Sequence, residues 1–378
     1  QKTDNMIEIR EVKSAKEIRR FIQFPLNLYK KCPYFVPPLY VDEKKMFKKN
    51  FVYNDQCEAV YFNAYKDGKI AGRISGILQL AANKKWNQKR VRFTRFDSID
   101  DQDVANALFA AVENWAKQKG MEEVAGPLGF SDLEREGLLI EGFDELATFE
   151  EQYNYPYYQK LIENLGYKKE VDWVERQLRA PAVVDERIAR LNAMMMKKYK
   201  LHLGTAKNGT EFCKKYGDRF FALLDETYAD LYGTVPFTDG MKKMMMENFK
   251  LVIDTRFVSV ILDENDNAVC FGLAIPSLAK AVQPSGGRLT PAALIRILKA
   301  VRHPKIIDLA LVGVKPEYAG KGVVTTFIVA VMDMLKNHGI EYAETNLNLE
   351  DNHSIQNQWH VFDARLHKRR RAFVKKLS

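Results

Sequence analysis

Leu309-Ala310-Leu311-Val312-Gly313-Val314-Lys315-Pro316-Glu317-Tyr318-Ala319-Gly320-Lys321-Gly322-Val323-Val324 is the stretch on which the fold turns. Its first six residues form a short branched apolar run, the pattern of a buried strand. Lys315-Pro316 breaks that strand, and a turn with glycines at 320 and 322 follows. Apolar residues then recur at helical spacing from Val323 to Lys336, and Asn337-His338-Gly339 ends the helix in left-handed style. A strand, a glycine turn and a helix in direct succession leave amide groups unpaired at the helix start, where the helix dipole adds partial positive charge. A phosphate is stabilised there without a dedicated cation. The same Gly-Lys-Gly turn also serves as a plain connection in α/β proteins, so the local pattern alone admits both uses. Beyond the helix, Ile340–Glu350 reads as a second strand whose even positions, Glu344, Asn346, Asn348 and Glu350, are polar. One face of that strand is expected to look onto something wet or reactive.

Val314-Lys315-Pro316-Glu317-Tyr318-Ala319-Gly320-Lys321-Gly322-Val323 resembles the acyl-CoA pyrophosphate loop of the GNAT (GCN5-related N-acyltransferase) superfamily. The resemblance implies an α/β fold with a mixed sheet, in which the strand before the loop splays from the strand after it and pantetheine pairs with the exposed edge. The family's Gln/Arg-x-x-Gly-x-Gly/Ala pattern places Ala319 first, Gly322 fourth and Val324 last, so two of its three defining positions depart. Carried over residue by residue, donor binding falls to Val312, Gly313, Val314, Ala319, Gly320, Lys321, Gly322, Val323, Val324 and Asn352. The oxyanion donor is the backbone N–H of Val312 or Gly313, with Gly313 the expected place for a bulge. Glu344 is the first candidate for the base that deprotonates an amine and Asp308 the second, with Asn346 on the same polar face. Where the family places a tyrosine to protonate the thiolate, this chain has Trp359. An indole cannot do that, which leaves His353, His360 or solvent.

The 378 residues are 46% hydrophobic, enough for two ordinary cores. No apolar run approaches eighteen residues, and Gln1-Lys2-Thr3-Asp4-Asn5 lacks a signal-peptide core, so a cytoplasmic protein, with possible peripheral contact at the inner membrane, is expected. Cys32, Cys57, Cys213 and Cys270 are scattered without a CxxC or a histidine at ligand spacing; no metal site is expected. The net charge of +9 favours anionic partners such as CoA, acyl carrier protein or phospholipid headgroups. Much of it crowds the C-terminus, from Arg365 through Arg369, Arg370 and Arg371 to Lys376, which reads either as a solvated tail or as a binding element. No helix-turn-helix, RNA-recognition strand or zinc finger accompanies it, and nucleic acid ranks low.

Two correspondences indicate an internal repeat. Trp115-Ala116-Lys117-Gln118-Lys119-Gly120-Met121-Glu122 parallels Met334-Leu335-Lys336-Asn337-His338-Gly339-Ile340-Glu341, and Lys13-Ser14-Ala15-Lys16-Glu17-Ile18 parallels Lys207-Asn208-Gly209-Thr210-Glu211-Phe212. Asp67-Gly68 between two strand-like runs signals a hairpin, and a second hairpin spans Val258–Ile275. With Ala180-Pro181-Ala182 as a break, the expected domains are 1–180, a degenerate copy, and 181–378, which carries the thioester site. The acidic loop Asp97-Ser98-Ile99-Asp100-Asp101 would repel a pyrophosphate, so the first copy is not expected to hold CoA. Tyr29–Leu39, with three prolines, forms an aromatic loop suited to a pocket wall or a packed connection. The runs Met194-Met195-Met196 and Met244-Met245-Met246 suit core packing, or a compliant acyl pocket. Ser285-Gly286-Gly287-Arg288 leads into a helix at Pro291–Val301, read as a lid or a decoration.

The tandem arrangement, Cys32-Pro33-Tyr34-Phe35-Val36-Pro37-Pro38, Glu344-Thr345-Asn346-Leu347, Asp351-Asn352-His353 and the basic terminus are similar to the bacterial ceramide-synthase-like subgroup. That similarity implies transfer of an acyl group from acyl-CoA or acyl carrier protein to an amine acceptor, small or lipid, such as a long-chain sphingoid base. A degenerate GNAT-fold binding protein and an aminoacyl-tRNA-dependent transferase are the alternatives.

Overall fold

A computed structural model describes residues 6–378; the polar segment Gln1-Lys2-Thr3-Asp4-Asn5 lies outside the described residues. In chain order the strands are β1 (Ile7–Glu11), β2 (Cys57–Lys66), β3 (Lys69–Gln79), β4 (Arg90–Ser98), β5 (Glu123–Gly126), β6 (Leu138–Glu141), β7 (Lys168–Arg179), β8 (His202–Leu203), β9 (Val258–Leu262), β10 (Ala268–Pro276), β11 (Ile306–Val314), β12 (Tyr342–Thr345), β13 (Asn348–Leu349) and β14 (Asp363–Lys376). Two compact units share them. One takes residues up to Trp173, Ala279–Leu294 and Lys368–Ser378; the other takes Val174–Leu278 and Ile295–His367.

Each unit holds a mixed sheet of the same order. In the first, β1, β2, β3 and β4 are antiparallel neighbours and β4 pairs parallel with β5. In the second, β8, β9, β10 and β11 repeat the antiparallel run and β11 pairs parallel with β12. The next strand in each unit comes from the far half of the sequence. Phe373–Lys376 of β14 pair with β5, and Gln177 and Leu178 of β7 pair with β12. This exchange is why the units do not follow a single cut between 1–180 and 181–378.

Local chemistry explains why the copies fold alike. Asp67 and Gly68 both take positive φ, +51° and +78°, as a two-residue hairpin turn requires. Ser14 caps the helix Ala15–Leu28 by accepting from the Glu17 amide at 3.2 Å, and Asn208 caps Gly209–Tyr228 by accepting from Glu211 at 2.9 Å. These are matched positions of the repeat, and each such cap contributes about 1 kcal/mol. In the second unit the helix Thr325–Asn337 buries Phe327, Ile328 and Val331 against Ile307 and Leu309 of β11, which fixes the helix to the strand that precedes the glycine turn. Met195 and Met245 are buried, Met195 beside Val323, while Met194 is exposed; the first methionine run is divided between core and surface.

The basic terminus is neither a solvated tail nor an open binding element. It is β14, in which Lys368 and Arg370 are buried, and Asp172 pairs with Arg369 at 3.0 Å and Arg371 at 2.7 Å. Those partners hold the Asp172 carboxyl below its ordinary range against the opposing effect of burial. Charge paired in this way is not available to an external anion. Among the described residues, no helix is long and apolar enough to cross a membrane, and no group of His, Cys, Asp and Glu could hold a metal ion.

Candidate active site

The second unit contains an opening between two strands. β11 pairs with β12 only from Ile306↔Tyr342 to Leu309↔Thr345, then runs on to Val314 without it. The parting coincides with a bulge. Against β10 the register passes from Leu273↔Leu311 to Ala274↔Leu309, so Ala310 is the extra residue. Asn346, just past the end of β12, donates its amide to the Ala310 carbonyl at 2.6 Å. The sequence placed the bulge at Gly313; the structure gives that glycine another reason. A Cβ there would lie 2.5 Å from the Phe271 ring and 2.6 Å from the Thr227 hydroxyl, so only glycine fits.

The exposed strand edge has one notable occupant. The Val312 N–H donates to the hydroxyl of Tyr228 at 3.2 Å, and that hydroxyl donates to the Val312 carbonyl at 3.1 Å. Tyr228, the last residue of its helix, therefore stands where a further strand or an extended ligand would pair. It was not singled out from sequence, because nothing local connects a helix end to a strand edge 84 residues later.

At the far end of the opening lies the glycine turn. Gly320 and Gly322 take φ of +74° and +76°, and a Cβ at either meets no atom within 4 Å. The Lys321 amide bonds to the Tyr318 carbonyl and that of Ala319 to Pro316. Among the described residues, the amides of Gly320, Gly322, Val323 and Val324 have no hydrogen-bond partner. Val324 supplies no side-chain cap to the helix it precedes. The corresponding helix in the first unit, Gln102–Gln118, is capped by Asp101, whose carboxylate accepts from the amides of Asp103 and Val104. One copy thus closes its helix start with its own anion, whereas the other leaves room for a foreign one. The Lys321 ammonium sits 5.2 Å and 5.4 Å from the ring centres of Tyr199 and Tyr318, a cation–π arrangement beside the turn. Val323 is buried, and Val314 packs against the same cluster, so both support the turn through packing.

At the near end, buried acids gather. Asp308 and Glu344 are in direct register across the parallel pair, and both are under a tenth exposed. His367, missed from sequence because it lies within an Arg/Lys run, brings Nε2 to 2.7 Å from Glu344 Oε2. Its other nitrogen lies 3.1 Å from the Glu175 carbonyl, which can only accept, so Nδ1 carries hydrogen and Nε2 faces the carboxylate. Imidazole and carboxyl thus meet out of water. Burial, then the charges of Glu344 and Asp308, push the phenol of nearby Tyr342 up to about 12. Glu344 itself is accordingly dry, whereas Asn346, Asn348 and Glu350 are half-buried, and the strand stops at Thr345, with Asn348–Leu349 a separate strand.

The remaining candidates are placed elsewhere. Asn352 caps the short helix His353–Gln356, accepting from the Ile355 amide at 3.5 Å. His353 is exposed at the start of that helix and His360 bonds its own segment through Asn357, so neither ring joins the His367–Glu344 pair. Trp359 is a core residue whose indole donates to Asn348 at 3.1 Å.

No protein-family model matches the chain. It is 26% identical to Protein YghO of Escherichia coli over 380 residues, covering 98% of this chain and 95% of that protein. It is likewise 26% identical to the bacterial ceramide synthase of Caulobacter vibrioides over 374 residues, 93% of each. Among solved structures, it is similar to a tandem GNAT protein from the clavulanic acid biosynthesis pathway, with a TM-score of 0.54 at 11% identity over 98% of both chains. It is also similar to the glucosamine N-acetyltransferase region of a fungal multi-domain β-N-acetylglucosaminidase, with a TM-score of 0.58 at 13% identity, covering 99% of this chain and 38% of that one. Two copies of one mixed sheet, each with a parallel pair followed by a helix, agree with the first of these over its full length, and the chain carries the tandem GNAT fold.

Proposed function

We propose that this protein is an N-acyltransferase that moves an acyl group from a CoA or carrier-protein thioester to an amine, with its site in the second unit. The observation that carries the reading is the parting of β11 from β12 after Leu309↔Thr345, with unpartnered turn amides at one end and buried acids at the other. The donor's phosphates would lie on the amides of Gly322, Val323 and Val324, and its pantetheine along the edge from Ala310 to Val314. The acceptor would lose a proton to the Glu344–His367 pair, with Asp308 alongside. Its nitrogen would then bond to the thioester carbon as the carbon–sulfur bond breaks and the thiolate takes up a proton. The Val312 N–H and the Tyr228 hydroxyl supply the hydrogen bonds nearest the developing oxyanion. A long-chain sphingoid-type amine is the acceptor favoured by the relative named a ceramide synthase.

Incubation with palmitoyl-CoA and a sphingoid base, with amide and free thiol quantified by mass spectrometry, tests the reading. Equal yields of both are expected. Absence of amide with CoA and carrier-protein donors and with several amines would overturn it. The second reading, a binding protein that retains the fold, is favoured by the Tyr228 hydroxyl on Val312 and by Trp359 at the family's tyrosine position. It predicts heat on titration with acyl-CoA but no product.

A further inference from the structure

Between Asp266 and Asp308 the sequence contains no carboxylate, yet it contains Lys280, Arg288, Arg296, Lys299, Arg302 and Lys305. β14 engages much of the C-terminal charge internally, and this segment is one of the stretches whose cations have no carboxylate near them in sequence. At its centre is the helix Pro291–Arg302, in which Ala293 alone is buried. Leu294, Ile295 and Leu298 are 51%, 69% and 48% exposed. Their spacing of one and four residues puts them on one side of the helix, away from Ala293. Lys299, Arg302 and Lys305 are exposed and form no ion pair among the described residues. Three large exposed apolar side chains on a single face, bordered by cations, are a costly feature for a surface that meets only water.

The helix is also held in place. Gly287 has φ +79° and accepts from the Tyr40 amide at 2.9 Å, and any Cβ on it would lie 1.9 Å from the Pro38 carbonyl. Gln283 donates to the carbonyls of Pro33 and Phe35, both at 2.9 Å. The proline-rich segment thus anchors the loop leading into the helix.

We infer that Pro291–Arg302 is a membrane-docking helix, whose partner is a bilayer surface bearing anionic phospholipid headgroups. Leu294, Ile295 and Leu298 would enter the boundary between headgroups and acyl chains, while Lys299, Arg302 and Lys305 meet lipid phosphates. A width of three side chains suits an interface of this kind, and the absence of carboxylates over the segment suits its charge. The inference is independent of the transferase reading, because its test reads binding and not turnover.

Full-length protein is sedimented with vesicles of phosphatidylcholine alone and with vesicles containing one-third phosphatidylglycerol. Binding at least tenfold stronger to the anionic vesicles, weakening with salt, is expected. L294S/I295S/L298S should lose at least tenfold in partitioning while its melting temperature stays within a few degrees of wild type, since those side chains pack against little. K299E/R302E should lose binding to the anionic vesicles alone. The inference is overturned if wild type binds neither vesicle, if the triple serine variant binds as wild type does, or if wild type is a dimer that the triple variant dissolves. Capture by an acidic carrier protein without vesicle binding would overturn it too.

Discussion

Replacing His367 by alanine perturbs the acid cluster at a point where the consequences can be worked out. The imidazole is fully buried and holds two contacts, Nε2 to Glu344 at 2.7 Å and Nδ1–H to the Glu175 carbonyl. Removing one member of a buried pair costs as much as roughly 3–5 kcal/mol when the pair is ionised, because the remaining carboxyl loses its neighbour without regaining water. In a unit of this size, 1 kcal/mol moves the melting temperature by roughly 2–4 °C. His367→Ala should therefore lower the transition of the second unit by as much as about 6–20 °C, a product of those two ranges. The double variant with Glu344→Gln separates the pair from simple cavity formation. If the two side chains interact directly, the double variant is less destabilised than the sum of the singles by about 0.5–3 kcal/mol. Calorimetric scans and urea titrations of the four proteins supply the cycle. A coupling indistinguishable from zero, with His367→Ala costing under about 1 kcal/mol, would refute the direct contact between the two side chains.

Three further outcomes follow from the same geometry. Gly313→Ala drives a Cβ to within 2.6 Å of Phe271 and Thr227, and overpacking of that kind should cost about 1–3 kcal/mol in urea unfolding; a neutral result would mean the strand has slack that the contacts deny. Tyr228→Phe removes the hydroxyl from Val312 and should lower kcat about 10²-fold with little change in KM if that hydroxyl supports the oxyanion, whereas unaltered kcat would reduce it to a filler of the strand edge. Burial pushes the thiols of Cys57 and Cys270 up to about 12, so both remain protonated throughout the neutral range. Labelling with a thiolate-selective reagent should be slow at pH 7 and pH 9 in native protein and fast in urea; rapid native labelling at pH 9 would contradict their placement.

How much of this was legible in the sequence depends on the range of the interactions involved. Asp67-Gly68, the Ser14 and Asn208 caps and the strand-turn-helix around Gly320 are set within a few residues, and their pattern is present in the chain itself. The exchange of β7 and β14 between units is set by ladder pairing across more than a hundred residues and leaves no local trace. His367 was hidden for a related reason. A run of Arg and Lys reads as solvated, yet alternate residues of β14 point inward, and the partners that make this tolerable, Asp172 and Glu344, lie far away in sequence. The bulge was assigned to Gly313 because glycine permits one, but the register places it at Ala310, where Asn346 binds the carbonyl. The first unit bulges likewise, as Arg73↔Asp97 passes to Ser75↔Thr94, and there it is Arg95 that takes φ +51°, with its guanidinium paired to Glu43 and Glu134. Composition did not foretell either position, since tertiary contacts stabilise a backbone that the residue type alone disfavours.

The central claim is that the unpartnered turn amides of Gly322, Val323 and Val324 receive an anionic donor headgroup beside the parted strands. Hydrogen–deuterium exchange across residues 316–328, with and without saturating palmitoyl-CoA, tests it directly. The account predicts rapid exchange at those amides in free protein and strong protection when the thioester is present, with the Asp101-capped helix start of the first unit unchanged. Equal exchange in both states, or protection that appears only in the first unit, would contradict it.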